Sequence, residues 1–211
     1  MSERGEEVQP LHDPPAREDL GTPLPASNYE DAVASETAEH AGGELFIPDQ
    51  YAVIEGTPDA NGRPVGVTVS RFNADITSRM LDIALHELDR LGVSADSVTV
   101  MPVPGAFELP LAAMALAKTR RYACVIALGC VIRGETPHFD YVAGEAASGL
   151  QLAALDTGVP VSFGLLTCET REQAEARIDR AADAVRSALE MADVFGQLRS
   201  APTTAGATSP S

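Results

Sequence analysis

Four apolar runs rich in β-branched residues, VGVTVS (65–70), SVTVMPV (97–103), ACVIALGCVI (123–132) and VPVSFGLLT (159–167), each precede a stretch with helical periodicity. No other feature constrains the chain as much. Strands that read as near-continuous apolar runs are buried on both faces, and alternating strand–helix units place them parallel with helices over the sheet. The first helix reads ADITSRMLDIALHELDRLG, with Ile76, Met80, Ile83, Leu88 and Leu91 near helical spacing and Gly92 at its end. FELPLAAMALAKT is the second, with Pro110 in the first turn, where proline is tolerated. Residues 137–156 and 170–196 supply the third and fourth. Ahead of them, ELFIPDQYAVIEG (44–56) alternates as an edge strand or arm would.

The length of 211 residues and an apolar content of 45% suit one domain with a sizeable core. Residues 1–43 and 199–211 differ from the rest. They hold few large apolar groups, and the acids before residue 60 are opposed only by Arg4 and Arg17. Such segments bury too little to offset chain entropy, so both are expected to be disordered tails around a domain at 44–198. The net charge of −16 argues against nucleic acid and anionic membrane as partners. No apolar run approaches the ~20 residues of a membrane helix, and MSERGEEVQP has no secretory pattern. Cys124, Cys130 and Cys168 form no CxxC pair and read as reduced thiols of a cytoplasmic protein. His12, His40, His86 and His138 lack metal-ligand spacing, so no metal is expected.

In an open parallel sheet, ligands bind beyond the carboxyl ends of the strands. The chemically distinctive stretches fall there: SRFN (70–73), VPGAFE (103–108), RGETPH (133–138) and LTCET (166–170). In the third, Gly134 permits an unusual backbone and close ligand approach. Thr136 suits an N-cap and Pro137 the first helical position, so free N–H groups there would hold a phosphate; simple capping is the alternative. Arg133 is either a helper for that anion or half of a structural ion pair. His138 is either a group that exchanges protons near neutral pH or a satisfied structural histidine. Asp140 either orients it or opposes it. Phe72 is a stacking platform or core, and Glu108 binds hydroxyls or complements a helix dipole.

RFNADIT, VPGAFELP, ALGCVIRGETPHFDYVAGEAASGL, DTGVPVSFGLLT and EQAEAR, in this order and spacing, resemble lumazine synthases over about residues 51–195. The resemblance implies a flavodoxin-like three-layer α/β/α sandwich with a four-stranded parallel sheet. It implies a transferase of riboflavin biosynthesis that condenses 5-amino-6-ribitylaminouracil with 3,4-dihydroxy-2-butanone 4-phosphate. The products are 6,7-dimethyl-8-ribityllumazine, phosphate and water, and no cofactor or metal takes part. It also implies a homopentamer, in some members a larger shell, with sites between neighbours. By the same resemblance, Phe72 stacks on the pyrimidine and Asn73 sits near the ribityl chain. Ala106, Phe107 and Glu108 hold the ribityl side, and Cys130, Val131 and Ile132 line the pyrimidine pocket. Glu135 and Thr136 bind the phosphate at the helix start. His138 donates a proton, Phe163 comes from the neighbouring subunit, and Arg177 meets the phosphate.

After EQAEAR the family pattern continues with glycines and lysines that break the last helix and place a lysine near the substrates. Here IDRAADAVRSALEM follows, about five residues shorter, and the chain's one lysine is Lys118. Arg177 or Arg180 would have to supply the charge. From Glu172 to Phe195 no glycine or proline intervenes, and Ala174, Ile178, Ala181, Val185, Leu189 and Ala192 repeat at three and four. This predicts one continuous amphipathic helix. The alternatives to a working synthase are a paralogue with a changed substrate and a non-catalytic pentamer or shell.

Overall fold

The computed structural model describes residues 45–59 and 62–200; residues 1–43 and 201–211, expected as tails, lie outside the described residues. Four strands, β1 (Val65–Ser70), β2 (Val98–Val103), β3 (Cys124–Ile132) and β4 (Val161–Cys168), form one sheet in the order β2-β1-β3-β4. All pairings are parallel, with Val65 opposite both Val98 and Cys124, and Val125 opposite Val161. The helices are α1 (Ala74–Arg90), α2 (Leu109–Lys118), α3 (His138–Thr157), α4 (Arg171–Glu175) and α5 (Arg180–Ser200).

Alternation along β1 and β3 divides the core in two. Val65, Val67, Val69, Ile126 and Leu128 pack with Ile76, Met80 and Leu88 of α1 and Val185 and Leu189 of α5. On the opposite face Val125, Ala127 and Val131 pack with Leu109, Leu116 and Ala113 of α2 and Leu150 and Ala146 of α3. The result is the three-layer, flavodoxin-like sandwich expected from the strand–helix repeats. Both faces are covered only at the two central strands. β2, an edge strand, leaves Thr99, Val100 and Met101 exposed, and β4 leaves Phe163 and Thr167 exposed. Its edge position, which composition does not encode, separates β2 from the fully buried runs.

The last helix is not continuous, contrary to its amphipathic pattern. Residues 176–179 form turns between α4 and α5. There the backbone bonds shorten to a three-residue reach: Arg177 to Ala174, Arg180 to Arg177, Ala181 to Ile178 and Ala182 to Asp179. Such tightening needs neither glycine nor proline. The apolar stripe is nonetheless used, because Ala174, Ala181, Val185, Leu189 and Ala192 are all fully buried and Ile178 packs on them. α5 also runs to Ser200, two residues into the expected C-terminal tail.

The segment from residue 45 forms no strand. It docks on α5 instead: Thr57 N donates to Asp193 at 3.2 Å, Arg63 pairs with Asp193 at 2.7 Å, and Gln197 donates to the Glu55 carbonyl at 2.7 Å. These bonds hold the Asp193 carboxyl down to about 2, with Arg63 the largest cause.

A buried carboxylate joins the two helices of one face. Glu87 of α1, 2% exposed, accepts from Arg90 at 2.7 Å and from Arg186 of α5 at 2.6 Å. Burial pushes its pKa up, but the hydrogen bonds and charges of Arg90 and Arg186 outweigh burial and hold it below the ordinary 4.5. A carboxylate depressed in the folded state contributes stability that is present above its unfolded pKa and lost as pH falls through its lower folded value. Glu87→Ala is expected to cost about 3 kcal/mol near neutral pH, the low end for breaking a buried pair because Arg186 keeps Asp183. Urea unfolding checks this, and the gap between variant and parent should narrow as the pH is taken below about 4.5.

Candidate active site

Strand order reverses between β1 and β3, the place where an open parallel sheet leaves a crevice at its carboxyl edge. A cleft of about 690 Å³ lies there. Its lining brings together Phe72 from the end of β1, Gly105 to Glu108 from the loop after β2, Cys130 to Ile132 from β3, and Gly134, Thr136, His138, Phe139, Tyr141 and Val142 around the start of α3. Nine of the thirteen residues expected from the sequence line it: Phe72, Ala106, Phe107, Glu108, Cys130, Val131, Ile132, Thr136 and His138.

The backbone explains why these side chains converge. Asn73 caps α1 in the left-handed conformation (φ 58), which asparagine tolerates better than most residues. Its amide donates to the Cys130 carbonyl at 3.0 Å, tying the β1 loop to β3. Phe72 is thereby turned outward, 70% exposed, with a ring face free for stacking on a planar ligand. Gly105 N donates to Glu108 Oε2 at 2.9 Å, closing a tight turn (Ala106–Glu108) ahead of α2. One Glu108 oxygen is therefore engaged by its own loop, and Phe107 stands 58% exposed beside it.

The helix start differs in detail from the sequence reading. Pro137 is the cap residue and His138 the first helical one, a shift of one from the expected Thr136 cap; no side chain caps this end. The 20-residue helix therefore begins beside the cleft with no side chain on its first N–H groups, of which that of Asp140 goes to the Pro137 carbonyl at 3.1 Å, and such an uncapped start suits an anion. Gly134 does not use a left-handed backbone; what it supplies is open space, since a Cβ there would meet nothing within 4 Å. The His138 side chain is exposed and makes no hydrogen bond among the described residues. Asp140 does not orient it. That carboxylate accepts two hydrogen bonds from Arg133, at 3.1 and 2.9 Å, and these lower its pKa. Arg133 is thus the ion-pair residue of the two alternatives, and it also donates to Glu169 at 2.7 Å.

Burial raises the Cys130 thiol to about 11, with Cys168 nearby adding to the shift, so Cys130 presents a neutral, apolar wall. Among the described residues no group of three His, Cys, Asp or Glu is arranged to hold a metal ion.

Four expected residues do not line the cleft of this chain. Asn73 lies behind it, bonded to Cys130. Glu135 is exposed outside the lining. Phe163 is 49% exposed on edge strand β4, and Arg177 is exposed in the turn after α4, donating to the Gln173 carbonyl at 2.9 Å. Gly105, Phe139, Tyr141 and Val142 line it without having been singled out. Helical periodicity from His138 would have found Tyr141 and Val142, three and four residues on along the same face.

Fold and cleft define a flavodoxin-like α/β enzyme whose substrate space is bounded by strand ends and one helix start. The model of the 6,7-dimethyl-8-ribityllumazine synthase family matches residues 62–196, and the chain belongs to that family. A synthase of that name from Syntrophus aciditrophicus (strain SB) is 50% identical over 151 residues, covering 69% of this chain and 98% of the relative. Those from Yersinia pestis (strain Pestoides F) and Yersinia pseudotuberculosis serotype O:3 (strain YPIII) are each 49% identical over 153 residues, 70% of this chain and 98% of theirs. The chain is accordingly a transferase of riboflavin biosynthesis. Near-50% identity over almost the full length of these relatives does not favour the altered-substrate or scaffold alternatives. No helix among the described residues is long and apolar enough to cross a membrane.

Proposed function

We propose that this cleft condenses 5-amino-6-ribitylaminouracil with 3,4-dihydroxy-2-butanone 4-phosphate, and that a neighbouring copy of the chain completes it. The observation that carries the reading is the convergence of Phe72, the 106–108 turn, the 130–132 strand end and His138 on one cleft. Phe72 offers the stacking face for the pyrimidine, and the carboxyl end of β3 the backbone groups beside it. The turn at Ala106–Glu108 takes the ribityl hydroxyls, and the open start of α3 takes the phosphate.

The chemistry is a sequence of proton movements. The pyrimidine amine attacks the ketone, a carbinolamine loses water to an imine, phosphate is eliminated, and a second condensation closes the ring. His138 supplies and accepts protons at these steps. Holding both substrates in one small space contributes much of the acceleration.

Phe163 and Arg177 act from the adjacent copy in this reading, which arranges the copies in a closed pentameric ring. A decamer of two such rings or a 60-subunit shell is the further extension. The exposed Phe163 on an edge strand and the exposed Arg177 support an intersubunit role. The acidic segment 1–43 and the residues after 198 lie outside the catalytic domain, and the enzyme works in the cytoplasm without a cofactor.

The test is turnover. Purified protein given both substrates should form 6,7-dimethyl-8-ribityllumazine, followed by its absorbance, from a particle whose mass is five times that of the chain or a multiple of it. A folded oligomer that forms no product would sink the synthase reading. A monomer with full turnover would sink the shared site.

A further inference from the structure

We propose that Arg133 is a positioning residue for His138: it clamps the start of α3 to the loop after β4 and so fixes where the imidazole stands in the cleft. The inference rests on the role given to His138 above. Three contacts of one guanidinium carry it. Nη1 and Nη2 make a forked pair with Asp140, in the first turn of α3, at 3.1 and 2.9 Å. Nε donates to Glu169, just past the end of β4, at 2.7 Å. Its carbon lies 4.1 Å from the centre of the Phe139 ring. Phe139 and Asp140 are the two residues that follow His138, so the backbone carrying the imidazole is held by a planar, forked group. The backbone N–H of Arg133 itself donates to the Cys168 carbonyl at 2.9 Å, so the clamp is anchored on β4 as well.

The same contacts argue against Arg133 as the phosphate ligand. One positive charge is already matched by two carboxylates, so the cluster is net negative. An arriving phosphate would have to displace one of them. Arg133 is also absent from the residues lining the cleft, whereas Phe139 is present.

A positioning role and a ligand role separate in kinetics. Arg133→Gln is expected to lower kcat about 30-fold, within the range misplacement of a catalytic group produces, while KM for the phosphate-bearing substrate stays within about threefold. Arg133→Lys should not rescue, because an ammonium keeps the charge but loses the fork and the stacking plane. Asp140→Asn should reproduce the kcat loss, which keeps the test open if Arg133→Gln folds poorly; circular dichroism and particle mass report folding for each. A tenfold or larger rise in KM with kcat preserved, or full rescue by lysine, would overturn the proposal.

A readout independent of turnover keeps this separate from the synthase reading. In uniformly ¹³C-labelled protein, the His138 ring resonances, identified by their loss in His138→Ala, should shift or broaden in Arg133→Gln and in Asp140→Asn. Unmoved resonances in folded variants would overturn the positioning role even if the parent protein shows no turnover. Parent turnover with unchanged kcat in Arg133→Gln would overturn it while leaving the synthase reading standing.

Discussion

His138→Ala lowers kcat for lumazine formation roughly 100-fold, with KM for each substrate within about threefold: this is the expected result of removing a proton donor that contributes little to binding. The structure sets the size. His138 is the first residue of α3, its ring is exposed in the cleft, and no described side chain holds it, so the variant leaves no buried group without a partner. Stability should therefore change little, and the lost rate can be read as chemistry. General acid–base catalysis contributes about 10²–10⁴, and the low end is expected because co-localising two substrates supplies much of the barrier reduction regardless of the histidine. Steady-state absorbance with one substrate varied at a time gives both constants. A fall of less than about fivefold would make His138 a bystander and move the proton transfers to bound water or to the substrate phosphate.

The layers of the fold were readable because burial on both faces leaves a compositional trace: VGVTVS and CVIALGCV are apolar almost throughout and are buried throughout. SVTVMPV looked the same and is an exposed edge, since strand order depends on which loops cross where. The helix break at 176–179 left no trace either, because a change from four-residue to three-residue hydrogen bonds costs no particular amino acid. At the site, residues fixed by local backbone chemistry were legible: Phe72 beside an asparagine that accepts a left-handed turn, and the 105–108 loop closed by its own glutamate. The engagement of Asn73 with the Cys130 carbonyl was not, because it joins positions 57 residues apart. The partition of Arg133 between anion and ion pair was also closed to the sequence. It depends on Glu169, which arrives from a different strand.

The lining of the cleft contains no arginine or lysine, yet one substrate carries a phosphate that must depart as an anion. Arg133 beside it is matched by two carboxylates, and Arg180 is paired with Asp183 at 3.0 Å. Arg177 has capacity to spare: it is exposed, with one guanidinium nitrogen given to a carbonyl of its own turn. Its absence from its own chain's cleft suits a residue that serves a neighbour. Arg177→Ala alone is expected to raise KM for the phosphate substrate at least tenfold and to lower kcat as well, the loss of a charge-assisted contact to a phosphate. The decisive form of the experiment mixes chains. Under the proposed ring, with His138 from one copy and Arg177 from the next in each site, His138→Ala and Arg177→Ala chains co-assembled in equal amounts should regain about a quarter of parental activity by random placement. Activity that stays at the level of the two single variants, in rings shown by mass to contain both, would mean that each site draws both residues from one chain. The phosphate would then have to be held by the start of α3 with a same-chain cation moved into place.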